Sequence, residues 1–261
     1  MLYRELAPVS ASAWEEIEER AKEVLKSYLS ARKVVKVNGP RGLDFNVISE
    51  GRLGPIKTEG NIGYSNYNIL PLTEIRTEFE MDRWELDNIQ RGAKDVDYEP
   101  LENAVKEIAL FEENAIYNGL EEAFIKGIDN VVELEPIALG NDPNSIMEAI
   151  TKGLIVLREN YQGGPFSLVV NEEAYKRILS KETSYPLDER IEKLIGGKIV
   201  YSHVVNGAYL LPFDHDDLEL TIGRDFSIGY QHHTNEKVRF FITESFTFRV
   251  LDPTLIVKFT L

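Results

Sequence analysis

The sequence predicts an α+β chain hung on one long helix. Three observations predict it. From Pro100 to Lys126, apolar residues recur at three and four: Leu101, Val105, Ile108, Phe111, Ala115, Ile116, Leu120 and Ala123. Residues 45–80 are punctuated by glycine and hold no helical period. Residues 131–225 then alternate helix and strand signals, and β-rich runs close the chain.

The long helix comes first because it sets the scale. Pro100 suits a first turn, where its missing N–H has no partner to lose. Glu102, Lys106, Glu113 and Glu121 fall on the opposite face. The stripe covers roughly 26 residues, about 39 Å at 1.5 Å rise. Gly119 costs about 1 kcal/mol against alanine inside it, and Gly127 is placed as its C-cap. Glu112, Glu113 and Glu122 raise the question of a ferritin-like metal site. That chemistry needs Glu-x-x-His pairs on partner helices, and the chain has none. These glutamates are therefore expected on a solvated or subunit-facing surface.

Taken in order, residues 1–11 form an arm containing Pro8. Ser12 with Glu15 reads as a capping box. The helix behind it, 13–31, puts Trp14, Ile17, Ala21, Val24, Leu25, Tyr28 and Leu29 on one side. Val34, Val35 and Val37 give a strand that turns at Gly39-Pro40. Residues 45–80 are expected to be a long excursion with a two-stranded ribbon. Such a ribbon is barely stable alone, so it is expected to lie on another subunit. Residues 81–92 are a short helix with Trp84 and Leu86, and Val131–Leu139 is β-like. A helix at 145–160, a strand at 166–171 and a helix at 172–180 follow. Residues 180–190 are a polar loop, and RIEKLIGG is a helix closed by Gly196-Gly197. KIVYSHVV, GAYLLPF, LELTIG and FSIGYQHH are successive strands, and two long β runs end the chain.

Composition excludes several function classes. The 261 residues carry 44 acidic against 29 basic side chains, a net charge of −15. That balance argues against general nucleic-acid binding. Cysteine is absent, which removes disulfides, thiolate catalysis and Cys-ligated metals. No run suits a membrane span, and the MLYRELAPVSAS start is unlike a secretion signal. A cytoplasmic protein is expected.

Candidate chemistry is thin. Asp214-His215-Asp216-Asp217 holds metal-ligand types, but four adjacent residues on a strand connection do not converge on one ion, and a solvated turn is expected. His232-His233 reads the same way. There is no Gly-x-Ser-x-Gly elbow, no Walker A loop and no Gly-x-Gly-x-x-Gly. Trp84, between Arg83 and Glu85, offers a face for a flat ligand such as a flavin. The plainer expectation is packing at a helix end or a subunit contact. No catalytic residue, required cofactor or metal is expected, and the chain reads as a non-enzyme.

Several segments resemble the encapsulin shell proteins. LAPVSASAWEEIEERAKEVLKSYLSARKVVKVNGPRG resembles that family's opening helix and strand, and LPLTEIRTEFEMDRWELDNIQRG is the most specific match. FEENAIYNG, GGPFSLVVN, FSIGYQ and FITESFTFRVLDP follow collinearly, with departures over 47–68 and 203–218.

The resemblance implies a Hong Kong 97 type phage capsid fold, closest to the simple, smaller-shell members. It implies a peripheral domain from 1–44 and 81–130, with the long helix as its spine. An extended loop would cover 45–80, an axial domain 131–225, and residues 226–261 would return to the peripheral domain. The implied function is self-assembly into a hollow icosahedral nanocompartment of about 60 subunits. It would enclose a ferritin-like protein or peroxidase docked by a C-terminal loading peptide. Leu25, Leu29, Arg32, Val34 and Ile228 are the implied docking residues. Arg32 would hold a peptide carboxylate or carbonyl. Lys181, Glu182, Thr183, Ser184, Tyr185, Asp188 and Glu189 would line a fivefold pore. A viral or prophage capsid protein that packages DNA shares this fold and is the alternative. A hydrolase is a second alternative, with no motif behind it.

Overall fold

The structure, a computed structural model, describes residues 1–179 and 186–261. The chain runs α1 (Ala11–Tyr28), β1 (Lys36–Asn38), β2 (Val47–Leu53), β3 (Lys57–Glu59), β4 (Ile62–Tyr64), β5 (Tyr67–Pro71) and β6 (Thr73–Asp82). Then come α2 (Arg83–Arg91), α3 (Glu99–Asn118), β7 (Ile137–Ala138), α4 (Pro143–Glu159), β8 (Phe166–Val170), α5 (Glu172–Leu179) and α6 (Leu187–Ile195). The last strands are β9 (Ile199–Tyr201), β10 (Ala208–Pro212), β11 (Leu218–Ile222), β12 (Ser227–His233), β13 (Lys237–Val250) and β14 (Val257–Thr260).

β13 organises the first sheet. One of its edges pairs antiparallel with β6 from Lys237 to Phe246. Its other edge takes β12 first and then β11, and β1 runs parallel to β11. Helices α1 and α3 cover one face. Ile17, Val105 and Ile108 share a core there with Phe79 and Phe240. The Trp14 ring meets Phe240 edge-on at 5.3 Å. The second sheet has the order β7-β14-β10-β8-β9, and α4, α5 and α6 bury Ile150, Leu154, Ile178 and Ile191 against it. A third core joins the two, with Val34, Ile116, Tyr117, Tyr209 and Phe246 at its centre.

The ribbon has no core. β2 pairs with β5 and β3 with β4, and Ile56, Ile62, Tyr64, Tyr67 and Ile69 stand exposed. It is shorter than the sequence suggests. Residues from Thr73 belong to the first sheet, with Ile75, Thr77, Phe79 and Met81 turned inward. The polar threonines among them mask a regular alternation.

The long helix also stops early, at Asn118, and spans about 30 Å. Gly119 closes it with φ 86, a conformation that favours glycine. A Cβ at Gly119 would stand 2.1 Å from Asn130 Oδ1. The apolar period continues past the stop because Glu121–Ala123 form a 3-10 turn and Leu120 bridges to Ile125. Gly127 is therefore no C-cap of this helix. α1 runs from Ala11 to Tyr28, not over 13–31, and Ser12 lies inside it. Ser10 is its cap and accepts from the Ala13 N–H at 3.2 Å.

Between 131 and 139 only Ile137–Ala138 form a strand. The final β segments are unequal, and the short β14 joins the second sheet, between β7 and β10. Glu112 and Glu113 are wholly buried, not on a surface, while Phe111 is 44% exposed. Among the described residues, no helix is long and apolar enough to cross a membrane.

Candidate docking groove

A groove of about 440 Å³ opens between α1 and the first sheet. Its helical wall is Ala21, Leu25 and Leu29, spaced by four so that they share one face. Phe226, Ile228 and Ile242 form the sheet side, and Lys22, Lys26 and Lys33 stand around it. The apolar side chains lie between charged ones, which suits an apolar occupant with polar groups at the rim.

The N-terminal arm closes one end. Arg4 Nε donates to the Ile228 carbonyl at 2.8 Å and its guanidinium pairs with Glu18 at 2.5 Å. The Tyr230 N–H donates to the Leu2 carbonyl at 2.8 Å. The arm thus covers part of the outer edge of β12 and ties it to α1.

A polar cluster closes the other end. Arg32 sits on the 3-10 turn Ala31–Lys33, directly after α1. Its Nε and Nη2 donate to the two oxygens of Glu112 at 2.9 and 2.5 Å. Nη1 donates to Asp225 Oδ1 at 2.8 Å, and Nη2 also donates to Glu244. The guanidinium lies 4.8 Å from the centre of the Phe226 ring. Burial works against the Arg32 charge, but Glu112, Glu244 and Asp225 outweigh it and raise its pKa. Beside it, Glu113 accepts from the Ser30 hydroxyl and from the Ala31 N–H, the latter at 2.8 Å. Burial pushes the Glu113 carboxyl up to about 7, against those two hydrogen bonds.

The structure brings four of the five expected docking residues together. Leu25 and Arg32 are partly exposed there, and Leu29 and Ile228 are buried but present an edge to the groove. Val34 is elsewhere. Its N–H bonds the Ala31 carbonyl, and its side chain is wholly buried in the joining core. Arg32 is committed to carboxylates of its own chain, so its first role is to hold the end of the groove.

Glu112 and Glu244 are functional candidates that residue type concealed. Glu112 is in phase with Ile108 and Ile116, and Glu244 alternates with Ile242 and Phe246. Position marks both as buried.

Asp188 and Glu189 open α6 in its first turn. Lys181, Glu182, Thr183, Ser184 and Tyr185 lie outside the described residues. Trp84 is 68% exposed, and the guanidinium of Arg91, the last residue of α2, lies 5.4 Å from its ring centre. Among the described residues, no group of three or more His, Asp or Glu could hold a metal ion. His215 instead accepts from the Asp217 N–H within its own turn.

Comparison with known proteins supplies the context. The family described as "Encapsulating protein for peroxidase" matches residues 1–247. A type 1 encapsulin shell protein of Mycolicibacterium paratuberculosis is 36% identical over 250 residues, covering 95% of this chain and 94% of the relative. Among solved structures, the virus-like particle from Pyrococcus furiosus aligns with TM-score 0.65 at 17% identity, over 93% of this chain and 97% of that one. The capsid of an empty GTA particle aligns with TM-score 0.58 at 12% identity, over 89% and 96%. These relatives are named for shells, not for a catalysed reaction. The chain belongs to the encapsulin shell proteins and has the Hong Kong 97 type phage capsid fold.

Proposed function

We propose that this chain closes into a hollow icosahedral nanocompartment of about 60 copies and that the groove beside α1 receives the C-terminal segment of an enclosed enzyme. The groove carries the reading. Leu25, Leu29 and Ile228 line one apolar slot with basic groups around it. An extended peptide would place alternate apolar side chains there. The family description favours a peroxidase as cargo over a ferritin-like protein. The charge of −15 gives the DNA-packaging alternative no support.

The test is co-expression with a fluorescent reporter that carries the C-terminal segment of a peroxidase from the same genome. Parent shells should retain the reporter through size exclusion. Leu25→Asp places a charge on the partly exposed wall, and should lower retention at least about tenfold while shells still close. Leu25→Asp shells loaded as fully as the parent would sink the docking proposal.

Two further assignments go with this reading. Asp188 and Glu189, in the first turn of α6, face the fivefold opening, where symmetry repeats each charge into a ring. Changing both to their amides should alter cation uptake without altering assembly; unaltered uptake would remove the assignment. Trp84 meets a neighbouring copy or stacks a flat ligand such as a flavin. Visible absorbance of purified shells separates the two.

A further inference from the structure

Three carboxylates converge on one guanidinium at the inner end of the groove. Glu112 and Glu244 are 0% exposed, and both accept from the same Nη2 of Arg32. The second oxygen of Glu244 is buried and has no partner. Asp225 is half-exposed and takes the remaining Nη1. If all three acids were ionised, one cation would face three anions, two of them out of water. Burying such an excess is costly. A proton held between Glu112 and Glu244 relieves it.

We propose that Arg32, Glu112, Glu244 and Asp225 form a proton-dependent clasp. The end of α1 stays docked while Glu244 holds a proton against Glu112, and it loosens when Glu244 ionises. This goes beyond the docking role and does not depend on what occupies the groove.

The surroundings leave the proton as the adjustable charge. From α3 the cluster is faced by Glu112 and by Glu113, with Tyr117 one turn on. From β13 it is faced by Glu244, whose register partner on β6 is the uncharged Ile75. Glu74 and Arg76 flank that partner, one by Thr243 Oγ1 at 3.3 Å and the other over the Phe241 ring. The loop before β12 supplies Asp225 and Arg224, whose Nη1 is itself buried without a partner. The turn after α1 supplies Arg32 and Lys33, and α1 sets Lys22 and Lys26 at the rim.

Burial, then the charge of Glu112, push the Glu244 carboxyl well above the ordinary range. A carboxyl raised on folding stabilises fully below its unfolded value of about 4.3, and the contribution fades as pH rises through the folded value. The clasp therefore tightens in acid and weakens in base.

Trp14 sits in the first turn of α1 against Phe240, so its fluorescence reads whether loosening at the clasp undocks the whole helix. Trp84→Phe leaves Trp14 as the single tryptophan, since the chain has two. Assembled protein titrated from about pH 5 to about pH 9 should show a red shift of Trp14 emission as pH rises. Glu244→Gln keeps the shape of the neutral acid. It should abolish the transition or move it down by about one pH unit or more, because an acid left to titrate there no longer faces a second carboxylate. Glu112→Gln does the same from the other carboxylate, should the first variant fail to assemble. A flat parent profile overturns the proposal, as does a transition unchanged in both variants. So does a transition removed by Glu113→Gln but by neither of these, which would place the proton on the neighbouring acid.

Discussion

Arg32→Ala should cost about 3–5 kcal/mol of stability. The loss arises less from the missing attraction than from what remains: Glu112 and Glu244 would stay wholly buried without their shared cation. The damage should be smaller near pH 5 than near pH 8, because protonation can neutralise the abandoned acids. Arg32→Lys should fall between the parent and alanine. It keeps a charge but loses the fork that holds Glu112 through two nitrogens while a third reaches Asp225. Thermal unfolding midpoints at the two pH values check this. An Arg32→Ala midpoint within a degree or two of the parent at pH 8 would mean the cluster is not a structural anchor.

Deleting residues 50–66 should abolish closed shells while both sheets stay folded. The deletion removes most of β2 and all of β3 and β4. None of these strands pairs with either five-stranded sheet. Their apolar side chains are exposed, Leu53 at 52% and Ile62 at 70%. An isolated two-stranded ribbon is marginal in water, so contact with another copy is what would hold this one. Circular dichroism should change little, and sedimentation should shift from a large particle to small species. Closed shells made by the deleted chain would show that the ribbon is not an assembly element.

Much of this was legible in local pattern. Leu25 and Leu29 are four apart on an amphipathic helix, so their common face could be read directly. The bare ribbon was legible from its glycines and missing period. Other features needed the third dimension. Gly119 ends α3 in mid-pattern, and helical phase alone could not separate the last helical turn from the 3-10 turn after it. Val34 left the groove because the Ala31–Lys33 turn re-aims the chain into the joining core. Glu112 and Glu244 were hidden by their charge: helical phase marked one as buried and strand alternation the other. Their partner Arg32 lies 80 residues from Glu112 and 212 from Glu244, a separation that periodicity cannot bridge. The position of Ile228 beside α1 likewise came from family resemblance, and only the sheet pairing gives it a physical basis.

The most direct measurement is electron microscopy of the purified full-length chain, paired with sedimentation velocity across salt and pH. Closed, hollow, uniform particles of about 60 subunits are the predicted result. A chain that remains a monomer or dimer under every condition would contradict the account, whatever the groove then binds.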